Sequence, residues 1–174
     1  MRKPLMILVG ALVAATFGAV GPAAAADPAW NGQYSLKRFA ASKTGTSLAA
    51  RQQEPDFADV YTFVTNCAVA PCTATVVGGP APANPTLPQP PVYRWESGSW
   101  VHRYDWQWDC YQGAGVPKVW RPAHSVAYYT PQANGTLRGV WTTTIDGGPC
   151  HGTVIMDVTA TPVGSVTSPG WTLS

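Results

Sequence analysis

Charge is scarce in this chain: 174 residues carry eleven Lys and Arg, nine Asp and Glu and three His. So few charges, almost balanced, exclude a nucleic acid or an anionic membrane surface as the principal partner. Helical periodicity is missing as well. After residue 26 no amphipathic helical stretch is sustained, which excludes a helical bundle and an α/β architecture. Catalytic signatures are also absent. There is no Gly-x-Ser-x-Gly, no Cys-x-x-Cys and no His pair at metal-ligand spacing, so neither a nucleophile elbow nor a zinc site is expected. No cofactor is expected either.

What the chain does have begins with its first 26 residues. Arg2 and Lys3 precede an apolar run from Leu5 to Val20, and Ala24-Ala25-Ala26 offers an Ala-x-Ala cleavage site. This is the layout of a secretory signal peptide, 1–26. Cleavage leaves 148 residues with nine basic and nine acidic side chains. That is enough for one domain, 27–174, with a core of its own. No transmembrane segment is expected after cleavage.

All four cysteines, Cys67, Cys72, Cys110 and Cys150, lie in the exported part. An even number in an oxidising compartment reads as two disulfides. Of the three pairings, Cys67–Cys72 closes a short turn between two strand-like runs, and Cys110–Cys150 follows by exclusion. On the chain-entropy view the long loop contributes about 4 kcal/mol and the short one about 2 kcal/mol.

The dominant pattern is period two. Trp100, His102, Tyr104, Trp106, Trp108 and Cys110 alternate with Val101, Arg103, Asp105, Gln107 and Asp109. One face of this strand carries rings and the other carries most of the polar groups. It pairs as a hairpin with Val92–Glu96 across Ser97-Gly98. Further strands are expected from about Gln33 to Phe39, over Thr46–Arg51, Asp59–Asn66, Thr73–Val77, Val119–Thr130, Thr136–Ile145 and Gly152–Ala160. Asn134-Gly135 marks a hairpin turn, and Pro122 suggests an edge, bulge or break. Residues 78–91 hold six prolines, which excludes regular structure there and predicts a long polyproline-like surface loop. Residues 162–174 read as a flexible tail, with Trp171 a candidate to dock.

Sequential hairpins with alternating faces define an all-β fold of about eight strands. A small antiparallel meander barrel is the first expectation, and a two-sheet sandwich is the alternative. Closure into a barrel removes exposed strand edges.

Three stretches carry a family resemblance: Trp30-Asn31-Gly32-Gln33-Tyr34 with Lys43-Thr44-Gly45-Thr46-Ser47; Tyr61-Thr62-Phe63 with Cys67 and Cys72-Thr73-Ala74; and Trp106-Gln107-Trp108-Asp109-Cys110. Together they resemble small secreted mycobacterial, or actinobacterial, exported proteins of unknown function. The resemblance covers nearly all of the mature chain and implies a cell-envelope or extracellular location. It brings no catalytic residues with it. Gly135-x-Leu137-x-Gly139-x-Trp141 resembles strands of avidin-like and lipocalin-like barrels.

Lys43-Thr44-Gly45 also matches one element of the serine β-lactamase set, but no Ser-x-x-Lys precedes it, and it reads as a turn. Cys150-His151 reads as a disulfide cysteine beside a turn histidine. The aromatic residues carry the functional expectation. Trp100, His102, Tyr104, Trp106, Trp108 and Trp141 either fill the core or line a ligand site.

The first functional reading is therefore a secreted, non-enzymatic binding module whose partner is an envelope glycan, a lipid or a host protein. The second is a carrier of a small apolar ligand or lipid in a calycin-like barrel. The third is a hydrolase, which requires two or three of His102, His124, Asp105 and Glu96 to converge in one cleft. Oligomeric state and ligand identity are not legible.

Overall fold

The computed structural model describes residues 29–164. The signal peptide read at 1–26, Trp171 and all but the first three residues of the expected tail lie outside them. Eight strands follow in order: β1 (Gly32–Arg38), β2 (Phe57–Asn66), β3 (Thr73–Gly78), β4 (Val92–Glu96), β5 (Ser99–Cys110), β6 (Val119–Pro131), β7 (Leu137–Ile145) and β8 (Gly152–Pro162). Each pairs antiparallel with the next, and β8 returns to β1 to close the barrel. Closure fixes the register Leu36 opposite Ala160. The barrel, rather than the sandwich, is thus the architecture, and both expected disulfides form.

The alternation read from the sequence is the alternation of the wall. Along β5, Trp100, Tyr104, Trp106 and Cys110 turn inward, while Arg103 and Asp105 are exposed. Leu137, Trp141 and Ile145 turn inward on β7, and Val154, Met156 and Val158 do so on β8. Pro122 does not break β6. It lies one residue beyond the first β6–β7 pair, Ala123–Ile145, where a missing N–H costs no ladder bond.

Two expectations change. Thr46–Arg51 is not a strand: Leu48–Arg51 forms a single helical turn, α1. Ser47 caps it, its Oγ accepting from the Ala49 N–H at 3.1 Å and donating to the Cys150 carbonyl at 2.6 Å. Leu-Ala-Ala-Arg has strong helix propensity, and burial of Ala49 and Ala50 supplies the rest. At the other end of the chain, β8 continues through Pro162, so the tail expected from residue 162 begins no earlier than Val163.

The interior is filled at both ends. At one end Trp30 is fully buried and stacks on Phe63 with centroids 4.0 Å apart. Tyr93, Trp100, Tyr129 and Leu137 complete that layer. At the other end α1 packs its two alanines against the buried Cys110–Cys150 disulfide, Ala123, Ile145 and Val154, with Trp106 and Trp108 alongside. Between them a small polar layer is internally satisfied. The Trp106 Nε1–H donates to Ser125 Oγ at 2.9 Å, and Ser125 meets Thr143 at 2.8 Å.

Candidate ligand-binding site

The wall of the barrel is incomplete on one side, and strand lengths explain why. β5 has twelve residues but β4 only five, so β4 covers only Ser99–Val101. β4 meets β3 through only three pairs, Thr73–Thr75 with Val92–Arg94. From His102 onward, the edge of β5 therefore has no strand beside it.

The proline-rich segment fills the gap. The Asn84 side chain donates to the Gln107 carbonyl at 2.8 Å, and the Gln107 N–H donates to Thr86 Oγ1 at 3.0 Å. At the far end, the Val76 N–H donates to the Pro91 carbonyl at 3.0 Å. Side chains and proline rings thus do the work of a missing strand. The expected surface loop is a strap across an opening.

Beneath the strap lies a cavity of about 370 Å³. This is the lower end of the size range of small-molecule sites. Its floor is Leu36, Tyr93, Ala127 and Tyr129, and its sides are Arg38, Tyr61, His102, Tyr104 and Trp141. Pro80, Pro82, Leu87 and Pro88 form the lid.

The cavity sets polar groups among its rings: Arg38 and Trp141 only donate, whereas the phenols, Gln89 and His102 can also accept. The His102 ring nitrogen Nδ1 lies 2.8 Å from the Val92 carbonyl. A carbonyl only accepts, so Nδ1 carries the hydrogen and Nε2 keeps a lone pair. Burial holds the pKa of His102 below its ordinary value despite the opposing pull of the Val92 bond, which keeps the ring neutral near pH 7. It sits between Tyr93 and Tyr104, with centroids 5.0 and 4.5 Å away. Burial likewise raises the phenols of Tyr93, Tyr104 and Tyr129, so all three remain protonated.

Arg38 is the charged member. Tyr34, Leu36 and Arg38 share the inward register of β1, and the Arg38 side chain is only 14% exposed. Its guanidinium carbon lies 5.2 Å from the centroid of Phe57, 5.3 Å from Trp141 and 5.8 Å from Tyr61. Those rings meet it as cation–π partners. Its only carboxylate contact among the described residues is Nη1 to Asp59 at 3.4 Å. Burial opposes the charge, while Tyr129 and Tyr61, the latter also through a hydrogen bond, move the pKa up; a phenol carries charge only in alkaline solution, so near neutral pH these oxygens offset the burial in part.

The six residues singled out from the sequence divide between cavity and packing. His102, Tyr104 and Trp141 line the cavity. Trp100 belongs to the packed layer beside Trp30, and Trp106 and Trp108 belong to the layer above α1. Arg38, Tyr61, Tyr93 and Tyr129 went unrecognised. Arg38 had a signal: it continues the inward alternation of Tyr34 and Leu36 with a charge.

Of the groups required for a hydrolase only His124 and Asp105 meet, and they do so away from the cavity. His124 lies on the outer wall, its ring nitrogens 2.6 Å from Asp105 and 2.8 Å from Asp146. His102 faces inward, and Glu96 pairs with Arg103 at 2.7 Å. Among the described residues no cluster of His, Cys, Asp and Glu has the makings of a metal site.

Comparison with known proteins gives the family. Residues 27–173 match the model of the PknI serine/threonine-protein kinase sensor domain. The chain belongs to that family. The monomer form of the M. tuberculosis PknI sensor domain superposes with a TM-score of 0.57 at 17% identity, covering 82% of this chain and 92% of that one. The likeness confirms the barrel. The dimer form gives a TM-score of 0.49 at 22% identity, covering 68% and 78%. No curated protein matches the sequence. The resemblance to exported mycobacterial proteins thereby gains a narrower content, that of a PknI-type sensor domain. Among the described residues no helix is long and apolar enough to cross a membrane.

Proposed function

We propose that this protein is an exported, non-enzymatic sensing module that takes a small molecule into its barrel. The observation that carries the reading is the strap-covered cavity of about 370 Å³ between two packed ends. A core built for stability alone leaves no such space, because interiors are close-packed. Membership of a sensor-domain family supports binding rather than catalysis as the task. The family match spans residues 27–173, the stretch left after cleavage of the proposed signal peptide 1–26, and two disulfides suit an oxidising exterior.

Among the partners considered from the sequence, a small lipid-like or otherwise apolar molecule suits the cavity best. The rings of β5 face inward, so they present no continuous outer strip for stacking on envelope sugars. His102, Tyr104 and Trp141 are the sequence-derived residues assigned to the ligand, with Arg38, Tyr61, Tyr93 and Tyr129 added. Native mass spectrometry of protein recovered from its own culture medium tests the proposal. The expected result is one small molecule bound per chain, absent from an Ala127→Trp variant whose new side chain occupies the cavity. A ligand-free spectrum for the native protein, or equal occupancy in the variant, contradicts it.

A further inference from the structure

We propose, resting on the cavity reading above, that the ligand is an organic carboxylate. Its anionic head meets Arg38 and Trp141, and its short apolar body lies against Leu36, Ala127 and the prolines of the strap.

The geometry around Arg38 carries the inference. Phe57, Tyr61 and Trp141 approach the guanidinium as cation–π partners. The rings of Phe57 and Trp141 hold the cation without using its five N–H donors, which lie in the guanidinium plane, while the Tyr61 phenol adds one neutral hydrogen-bond partner. Among the described residues, only Nη1 finds a carboxylate, at 3.4 Å and on an Asp59 side chain that is 42% exposed. Solvent screens that pair, so it compensates little. Arg38 Nε is buried and has no hydrogen-bond partner among the described residues.

A second unsatisfied donor borders the same space. Trp141 Nε1 is buried and makes no well-formed hydrogen bond among the described residues, the neutral Tyr104 phenol being the one oxygen within its reach, and Trp141 is one of the rings beside Arg38. The indole nitrogens of Trp30 and Trp100 also lack acceptors, but those residues belong to the packed end layer. Among the described residues no carboxylate lines the cavity. A buried cation and an indole N–H whose neighbours on the cavity side are neutral phenols lack one component, an acceptor with negative charge. A planar carboxylate fits the in-plane fork of an arginine with two parallel bonds. Leu36, Ala127 and the strap prolines offer an apolar surface to the rest of the ligand, and the volume suits a chain or ring of modest length rather than a long-chain lipid.

Calorimetric titration of the exported protein with octanoate, octan-1-ol and octylammonium separates head group from tail. Octanoate is expected to bind one per chain, at least about tenfold tighter than octanol, while octylammonium does not bind. Arg38→Met is expected to weaken octanoate at least about tenfold and to leave octanol unchanged or tighter. Trp141→Phe keeps the ring and removes only the N–H. It is expected to weaken octanoate severalfold without moving octanol, and it serves if the arginine variant fails to fold. Octanol binding as tightly as octanoate overturns the carboxylate assignment and leaves the cavity reading standing. So does an octanoate affinity indifferent to both substitutions. Failure of all three probes also overturns it, and the culture-medium mass spectrum then decides the cavity reading separately.

Discussion

Replacing Arg38 with methionine makes the fold slightly more stable, if the arginine is held for a ligand rather than for the barrel. Removing a cation from water costs several kcal/mol, and for a side chain still 14% exposed we take about 3 kcal/mol. Against this stand the long, screened contact to Asp59, worth at most about 1 kcal/mol, the neutral Tyr61 hydroxyl and the cation–π contacts. Those contacts bring the total offset to about 2 kcal/mol. Methionine fills a similar volume and keeps favourable contact with the same rings through its sulfur. The expected net change is a gain of about 1 kcal/mol, or about 3 °C in Tm for a domain of this size. Urea titration followed by tryptophan fluorescence, with calorimetry for Tm, measures it on ligand-free protein. A loss of more than about 2 kcal/mol refutes the reasoning, because it makes Arg38 a structural cation whose partners are already sufficient.

Three further outcomes are expected. Gly139→Ala destabilises by about 2 kcal/mol or more, because a Cβ there would stand 1.6 Å from the Tyr128 carbonyl oxygen and β6 and β7 must part; an unchanged urea midpoint would count against this close approach. The two histidines give opposite pH dependences, read by NMR titration alongside stability. Hydrogen bonds first to Asp105 and then to Asp146 raise His124, so its contribution is present below about pH 6.5 and is lost as pH rises through its folded pKa. Burial lowers His102, so the unfolded chain binds that proton more tightly and stability falls as pH drops below about 6.5. Finally, Asn84→Ala combined with Thr86→Ala releases the strap from Gln107 and speeds amide exchange at Gln107, with a stability loss of about 1 kcal/mol per hydrogen bond.

The residues that made the fold legible are those whose role depends only on period. Trp100, Tyr104, Trp106 and Cys110 announce their face by alternation, and the strand they form occupies the span expected of it. Alternation gives face but not depth along the barrel axis. That is why Trp100, Trp106 and Trp108 pass for site residues in the sequence but pack in the end layers, while His102 and Tyr104 between them border the cavity. Thr46–Arg51 misled because a Thr-Ser start imitates a strand, whereas the same Ser47 is a helix cap once Cys150 supplies an acceptor from 103 positions away. The strap was visible as a run of prolines, but what it covers depends on the short β4, a property of three strands together. Arg38 looked like a strand end. Its meaning comes from Trp141, Tyr61 and Phe57, which no local window contains.

The most direct measurement is a crystal structure of the protein grown with 8-bromooctanoate, read by bromine anomalous scattering. The account predicts one bromine peak inside the barrel beneath residues 79–91, with the carboxylate oxygens within hydrogen-bond distance of Arg38. A bromine peak confined to the outer wall, or an interior without bromine, would contradict it.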